Sequence, residues 1–136
     1  MPETGEGRVI YIIEDDAGVR EGLSRLVRSA GFEAHSFSTE DDFLAENRCA
    51  ASGCILLDIT TSLAGGARFL AALRARDIDL PVIAISARHD AATRRRARKL
   101  GSRYFMGKPV DDQALLDAIE WVTDAGGGGA AEGRGS

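Results

Sequence analysis

The fold class predicted by the sequence is α/β, a doubly wound sandwich in which parallel strands lie between two helical layers. Three observations lead there. Five short runs rich in β-branched and apolar residues alternate with longer segments of helical period. Runs such as VIYII, CILL and VIAI are apolar at consecutive positions, as strands covered on both faces must be. The 136 residues are the length of one ordinary domain with one core. Parallel neighbours need long connections, so the helices between them become right-handed crossovers.

The elements follow in order. Arg8 to Ile13 reads as the first strand. Val19, Leu23, Leu26, Val27 and Ala30 then recur at the three-to-four spacing of an amphipathic helix, which Gly31 ends. Glu33 to Phe37 is the second strand, and Thr39 to Glu46 a shorter, weaker helix with Phe43 and Leu44 as its apolar contacts. Cys54 to Leu57 is the third strand, followed by a helical face of Phe69, Leu70 and Leu73. Pro81 to Ile85 is the fourth, followed by a helix over Ala92 to Leu100 that could begin at Ala91. Arg103 to Met106 is the fifth strand; Leu115, Ala118, Ile119 and Val122 mark the last helix, which also carries Trp121. After Thr123 the sequence becomes DAGGGGAAEGRGS, with nothing to bury, so residues 8–123 are expected to form the domain and 124–136 a flexible Gly-rich tail or linker.

Composition narrows the function classes. The chain is 44% hydrophobic and 28% charged, and no apolar run approaches the roughly 18 residues of a membrane-spanning helix. Its start, MPETGEGR, lacks the basic-then-apolar pattern of a secretory signal, so a cytoplasmic location is expected. Cys49 and Cys54 cannot make a disulfide scaffold, and no His lies near them in sequence to suggest zinc. A net charge of -4 argues against nucleic-acid binding by the whole domain. Arg88 to Arg103 is the exception, with Arg88, Arg94, Arg95, Arg96, Arg98, Lys99 and Arg103 against the single acid Asp90. Arg94, Arg95, Arg98 and Lys99 fall at helical spacing around one side. They form either a solvated face or a dock for an acidic partner surface, with nucleic acid a weaker option.

The chemistry sits at the strand ends. Glu14, Asp15 and Asp16 follow the first strand, Asp58 the third, Ser86 the fourth, and Lys108 the fifth after Gly107. In open α/β sheets ligands bind outside the carboxyl ends of the strands, so these positions converge on one crevice. Carboxylates crowded there make sense around a hard divalent cation with oxygen ligands, and Mg²⁺ is the expected cofactor. Lys108 and Ser86 then offer a positive charge and a hydroxyl to a phosphoryl group. Taken singly, each residue has a plainer reading. Asp15 or Asp16 could cap a helix, Asp58 and Ser86 could be turn residues, Lys108 a surface lysine and Phe105 a core aromatic. The conjunction at four strand ends favours the site.

IIEDD, ILLDI, IAIS and KP, in that order and spacing, resemble the receiver domain of two-component response regulators, from about Val9 to Val122. The resemblance implies a flavodoxin-like (βα)5 fold with a five-stranded parallel sheet in the order 2-1-3-4-5. It also implies that Asp58 accepts a phosphoryl group from a histidine kinase or phosphotransfer protein. Self-phosphorylation from small donors and autodephosphorylation would accompany this, which is less than conventional enzyme activity. Asp15 would bind Mg²⁺ directly, Glu14 through a water, Asp58 as the acceptor and Thr60 through its backbone carbonyl. Lys108 would pair with a phosphoryl oxygen, Ser86 would move to hydrogen-bond it, and Phe105 would be the aromatic switch residue. A cis Lys108-Pro109 peptide is in keeping with that pattern.

The run after Asp58, Ile59-Thr60-Thr61-Ser62-Leu63-Ala64-Gly65-Gly66, departs from the family pattern by lacking its proline. Arg88 and Thr60, each two residues past a site residue, flank the route of water to the acyl phosphate. The expected output is a partner-binding surface from the fourth helix through the fifth strand to the fifth helix, with a phosphorylation-dependent homodimer as a further option. Neither membrane nor direct nucleic-acid contact is expected. Three outputs remain open. The chain could be a stand-alone receiver, the amino-terminal receiver of a DNA-binding transcription regulator, or a degenerate receiver serving as a constitutive interaction module.

Overall fold

In a computed structural model the described residues are 8–46, 52–59 and 63–124, with the side chains of 63–67 outside the description. Ten elements alternate: β1 (Val9–Ile13), α1 (Ala17–Ser29), β2 (Glu33–Phe37), α2 (Glu40–Leu44), β3 (Gly53–Asp58), α3 (Leu63–Ala75), β4 (Val82–Ser86), α4 (Ala91–Lys99), β5 (Tyr104–Gly107) and α5 (Asp112–Asp124). The strands form one parallel sheet in the order β2-β1-β3-β4-β5, as expected. Among the described residues no helix is long and apolar enough to cross a membrane.

Consecutive apolar residues place β1, β3 and β4 at the centre, where both faces are covered: Ile10, Ile12, Ile55 and Ile83 are buried. The alternate residues of these strands divide the core in two. One face gathers Tyr11, Ile13, Ile55 and Leu57 with Phe43 of α2, Phe69 and Leu73 of α3 and Ala97 of α4. The other gathers Ile10, Ile12, Leu56, Ile83 and Ile85 with Val27 of α1 and Leu115, Ala118, Ile119 and Val122 of α5. Edge strand β2 is more polar, with Glu33, His35 and Ser36 exposed. Gly53 enters β3 at φ +141°, and a side chain there would overlap the Val9 carbonyl oxygen, so the close approach of β3 to β1 requires glycine.

The differences from expectation are local. β3 reaches one residue further at each end, and β4 starts after Pro81, which has no N–H for the ladder. α2 shrinks to a single turn between the Thr39 N-cap and the Ala45 C-cap. Val19, which helical spacing puts on the apolar stripe of α1, is 38% exposed and lines a cavity with Leu23, Leu26 and Pro109. Trp121 is half-buried against Tyr104, with ring centroids 5.6 Å apart, in the α1–α5 layer. Cys54 is buried within β3. Cys49 and the Gly-rich segment 125–136 lie outside the described residues.

Candidate functional site

β1 delivers Glu14 and Asp15 to the carboxyl edge of the sheet, and β3 delivers Asp58 beside them. Register explains this, because Ile13 pairs with Leu57 and the residues after them emerge together. One oxygen from each of Glu14, Asp15 and Asp58 lies within 4.8 Å of the others. Asp16 separates from this group. Its carboxylate accepts from the Val19 N–H at 2.9 Å and caps α1, so the capping role belongs to Asp16 and not to Asp15. The three clustered carboxylates floor a cavity of about 290 Å³ whose walls include Thr39, Glu40 and Arg68.

Glu14 is 2% exposed, and both its backbone and its carboxylate are held. Its Oε2 accepts from the Asp16 N–H at 3.1 Å, its carbonyl accepts from the Arg20 guanidinium at 2.7 Å, and its Oε1 lies 3.1 Å from Lys108 Nζ. The last contact is an ion pair that crosses from the end of β5 to the end of β1. Burial pushes the Glu14 carboxyl above the usual range; the Asp16 N–H and Lys108 oppose this, while the negative charge of Asp58 adds to it. Three carboxylates gathered around one ammonium leave an excess of negative charge that a dication would neutralise. The donor set is all oxygen, which suits Mg²⁺.

β4 and β5 supply the rest. Lys108 follows β5 and turns back across the edge, with Nζ 3.3 Å from Asp58 Oδ2. Burial alone would lower its pKa, but the Glu14 carboxylate and the charge of Asp58 outweigh burial and raise it, so the side chain is held as a cation. The Lys108 backbone N–H donates to the Ser86 carbonyl at 2.9 Å, tying the ends of β4 and β5 together. Its peptide with Pro109 is cis, as expected. Ser86 is 1% exposed, and its Oγ accepts from the Arg88 N–H at 2.9 Å. Phe105 is half-buried against the α2–α4 side of the core, with the Arg94 guanidinium 5.0 Å above its ring.

The expected residues Glu14, Asp15, Asp58 and Lys108 therefore meet, with Ser86 at the adjoining strand end. Thr60, expected to offer a carbonyl to the metal, lies outside the described residues. Arg68, Arg20 and the partnership of Arg94 with Phe105 were not foreseen; all depend on helix orientation, which leaves no local pattern. His89 packed against Gly107 was also missed, although a glycine inside a strand is a signal of close approach.

The description of the response regulator receiver domain family matches residues 10–120. The chain is 33% identical over 117 residues to the transcriptional regulatory protein TdiR of Thauera aromatica, covering 86% of this chain and 52% of that protein. It is similar to the solved structure of the response regulator StyR, with a TM-score of 0.75 and 37% identity over 87% of this chain and 60% of that one. The chemotaxis protein CheY4 of Vibrio cholerae shares the fold, with a TM-score of 0.74 at 18% identity over 85% of this chain and 98% of that one. The chain thus spans about half the length of the curated relatives it matches.

Proposed function

Because this chain belongs to the response regulator receiver domain family, we propose that it accepts a phosphoryl group on Asp58 from a phosphohistidine donor and so switches a partner-binding surface. The observation that carries the proposal is the convergence of Glu14, Asp15, Asp58 and Lys108 at one sheet edge. Phosphoryl transfer is mostly positioning and charge neutralisation, and these residues supply both. An Asp58 carboxylate oxygen forms the new P–O bond as the donor's P–N bond breaks; the leaving imidazole keeps the bonding pair and takes up a proton. Lys108, already beside Asp58, draws a phosphoryl oxygen to its ammonium. Ser86 Oγ–H donates a hydrogen bond to a second oxygen once the hydroxyl turns from the β4–α4 loop toward Asp58.

Glu14, Asp15 and Asp58, with the Thr60 carbonyl, would hold Mg²⁺, which when bound supplies neutralising charge to the phosphoryl oxygens. The donor would be a cytoplasmic histidine kinase or phosphotransfer protein. The output surface runs from α4 to α5, where Arg94, Arg95, Arg98 and Lys99 are exposed and suit an acidic partner. Similarity to TdiR, which the chain spans by 52%, supports a second reading of the output, namely that of a receiver segment within a transcription regulator.

The test is intact-mass spectrometry after incubation with acetyl phosphate and Mg²⁺. One phosphoryl mass is expected on the parent and none on Asp58→Asn. Full labelling of that variant, or no labelling of the parent, refutes the assignment; chelation should also stop the reaction.

A further inference from the structure

The β4–α4 loop, residues 87–90, and the first turn of α4 meet β5 at two successive positions on one strand face. At the first, the His89 ring lies on Gly107. A methyl group on Gly107 would stand 2.6 Å from both Cγ and Cδ2 of His89 and 3.1 Å from its Cβ, so the ring fills the space that any other residue's Cβ would take. At the second, two residues back along the strand, the Arg94 guanidinium covers the ring of Phe105 at 5.0 Å. The two are joined, because Arg94 Nε donates to the His89 carbonyl at 3.2 Å. At the near end of the same loop the Arg88 N–H donates to Ser86 Oγ at 2.9 Å, which holds that oxygen turned toward the loop.

From this geometry we infer that His89 and Arg94 form a clasp across β5 that holds the β4–α4 loop and Phe105 in the resting arrangement. They are positioning residues, acting through Ser86 and Phe105 without touching the reacting atoms. The inference rests on Asp58 being the phosphoacceptor. For Ser86 to turn toward Asp58 the loop must give up its bond to Ser86, and His89 and Arg94 hold that loop in place. Opening the clasp therefore raises the population that accepts phosphate readily. An exposed contact of this type is worth about two- to fivefold in an equilibrium.

The test compares the initial rate of phosphorylation by acetyl phosphate with Mg²⁺ in the parent, His89→Ala, Arg94→Gln, Gly107→Ala and the double variant His89→Ala/Gly107→Ala. Each single variant should be faster by about two- to fivefold. The double variant should match His89→Ala, because both changes remove one contact. Amide resonances of the loop and of Phe105 in the unphosphorylated variants should fall on the line joining the parent alone to the parent with beryllofluoride, a displacement that a merely structural role would not produce. Rates equal to or below the parent's, or displacements off that line, overturn the clasp. A parent that gains mass alongside variants that match its rate overturns the clasp alone. A parent that gains no mass overturns the phosphoacceptor reading and the clasp with it.

Discussion

Asp58 and Lys108, fifty residues apart in the chain, meet with Nζ 3.3 Å from Oδ2, an ion pair that joins the ends of two strands not adjacent in the sheet. The same ammonium lies 3.1 Å from Glu14 Oε1, so one cation faces two carboxylates and cannot neutralise both. The crevice is left with an excess of negative charge, and its stability, metal demand and reactivity follow from that imbalance.

Replacing Lys108 by Met should slow phosphorylation of Asp58 by on the order of a hundredfold, the effect of removing one aligned charge or donor from a transition state. It should also destabilise the fold at neutral pH, since the carboxylates lose their partner. The Lys108 pKa is raised in the folded state, so its stabilising contribution is complete below the ordinary Lys value of 10.5 and is lost as pH rises through the folded value. Melting curves of parent and variant should draw together as pH rises through the folded value; a gap of unchanged size at every pH would mean that packing, not charge, sets the effect.

Glu14 works in the opposite sense. Its folded pKa stands above 4.5, so the stability associated with its proton is present below that value and is lost as pH rises through the folded value. At neutral pH the ionised group is a net cost. Glu14→Gln should raise the melting temperature of the metal-free protein by roughly 2–6 °C and lessen the added stability that Mg²⁺ gives the parent. For the parent, Mg²⁺ at ten times its dissociation constant should contribute about 1.4 kcal/mol by mass action. Differential scanning calorimetry with chelator and with Mg²⁺ checks both; an unchanged parent curve would show that no metal binds.

Asp90 caps α4, accepting from the Thr93 N–H at 3.1 Å. Its pKa is lowered by the hydrogen bonds with Thr93, so the contribution is present above the ordinary Asp value of 3.8 and disappears as pH falls through the folded value. Asp90→Ala should therefore melt below the parent at neutral pH, with the gap narrowing as pH falls below the ordinary Asp value of 3.8. Equal melting temperatures at every pH would show that the cap contributes nothing to the fold.

Burial pushes the Cys54 thiol up to about 12, which removes the thiolate that alkylating reagents attack. Peptide mapping after iodoacetamide should find Cys54 unmodified in the native protein and modified only after unfolding. Modification under native conditions would show that β3 opens locally.

Much of the fold was legible because its signals are local. The consecutive apolar residues of VIYII, CILL and VIAI announce strands covered twice, and strand-to-helix alternation leaves parallel pairing as the economical topology. Glu14, Asp15, Asp58 and Lys108 were legible for a related reason: each ends a strand, directly follows one or comes just past it, so topology alone brings them to one edge. Val19 was misplaced because helical period reports which stripe is apolar but not how far each residue on it is covered. The His89–Gly107 and Arg94–Phe105 contacts were missed because they join a loop and a helix to a strand across sequence gaps that carry no period.

The sheet is also a partition. Its two faces have separate clusters, α2, α3 and α4 resting on one and α1 and α5 on the other, with only the strands between them. A displacement of α4 would act first on Ala97 and its neighbours, across the sheet from Val27, Leu115 and Ile119. The architecture is thus that of a door on a fixed frame: the α1–α5 layer keeps the carboxylate edge in register while the opposite layer is free to respond. Hydrogen exchange in a phosphorylated sample should accordingly change in α4 and β5 while the amides of α1 stay as protected as they were.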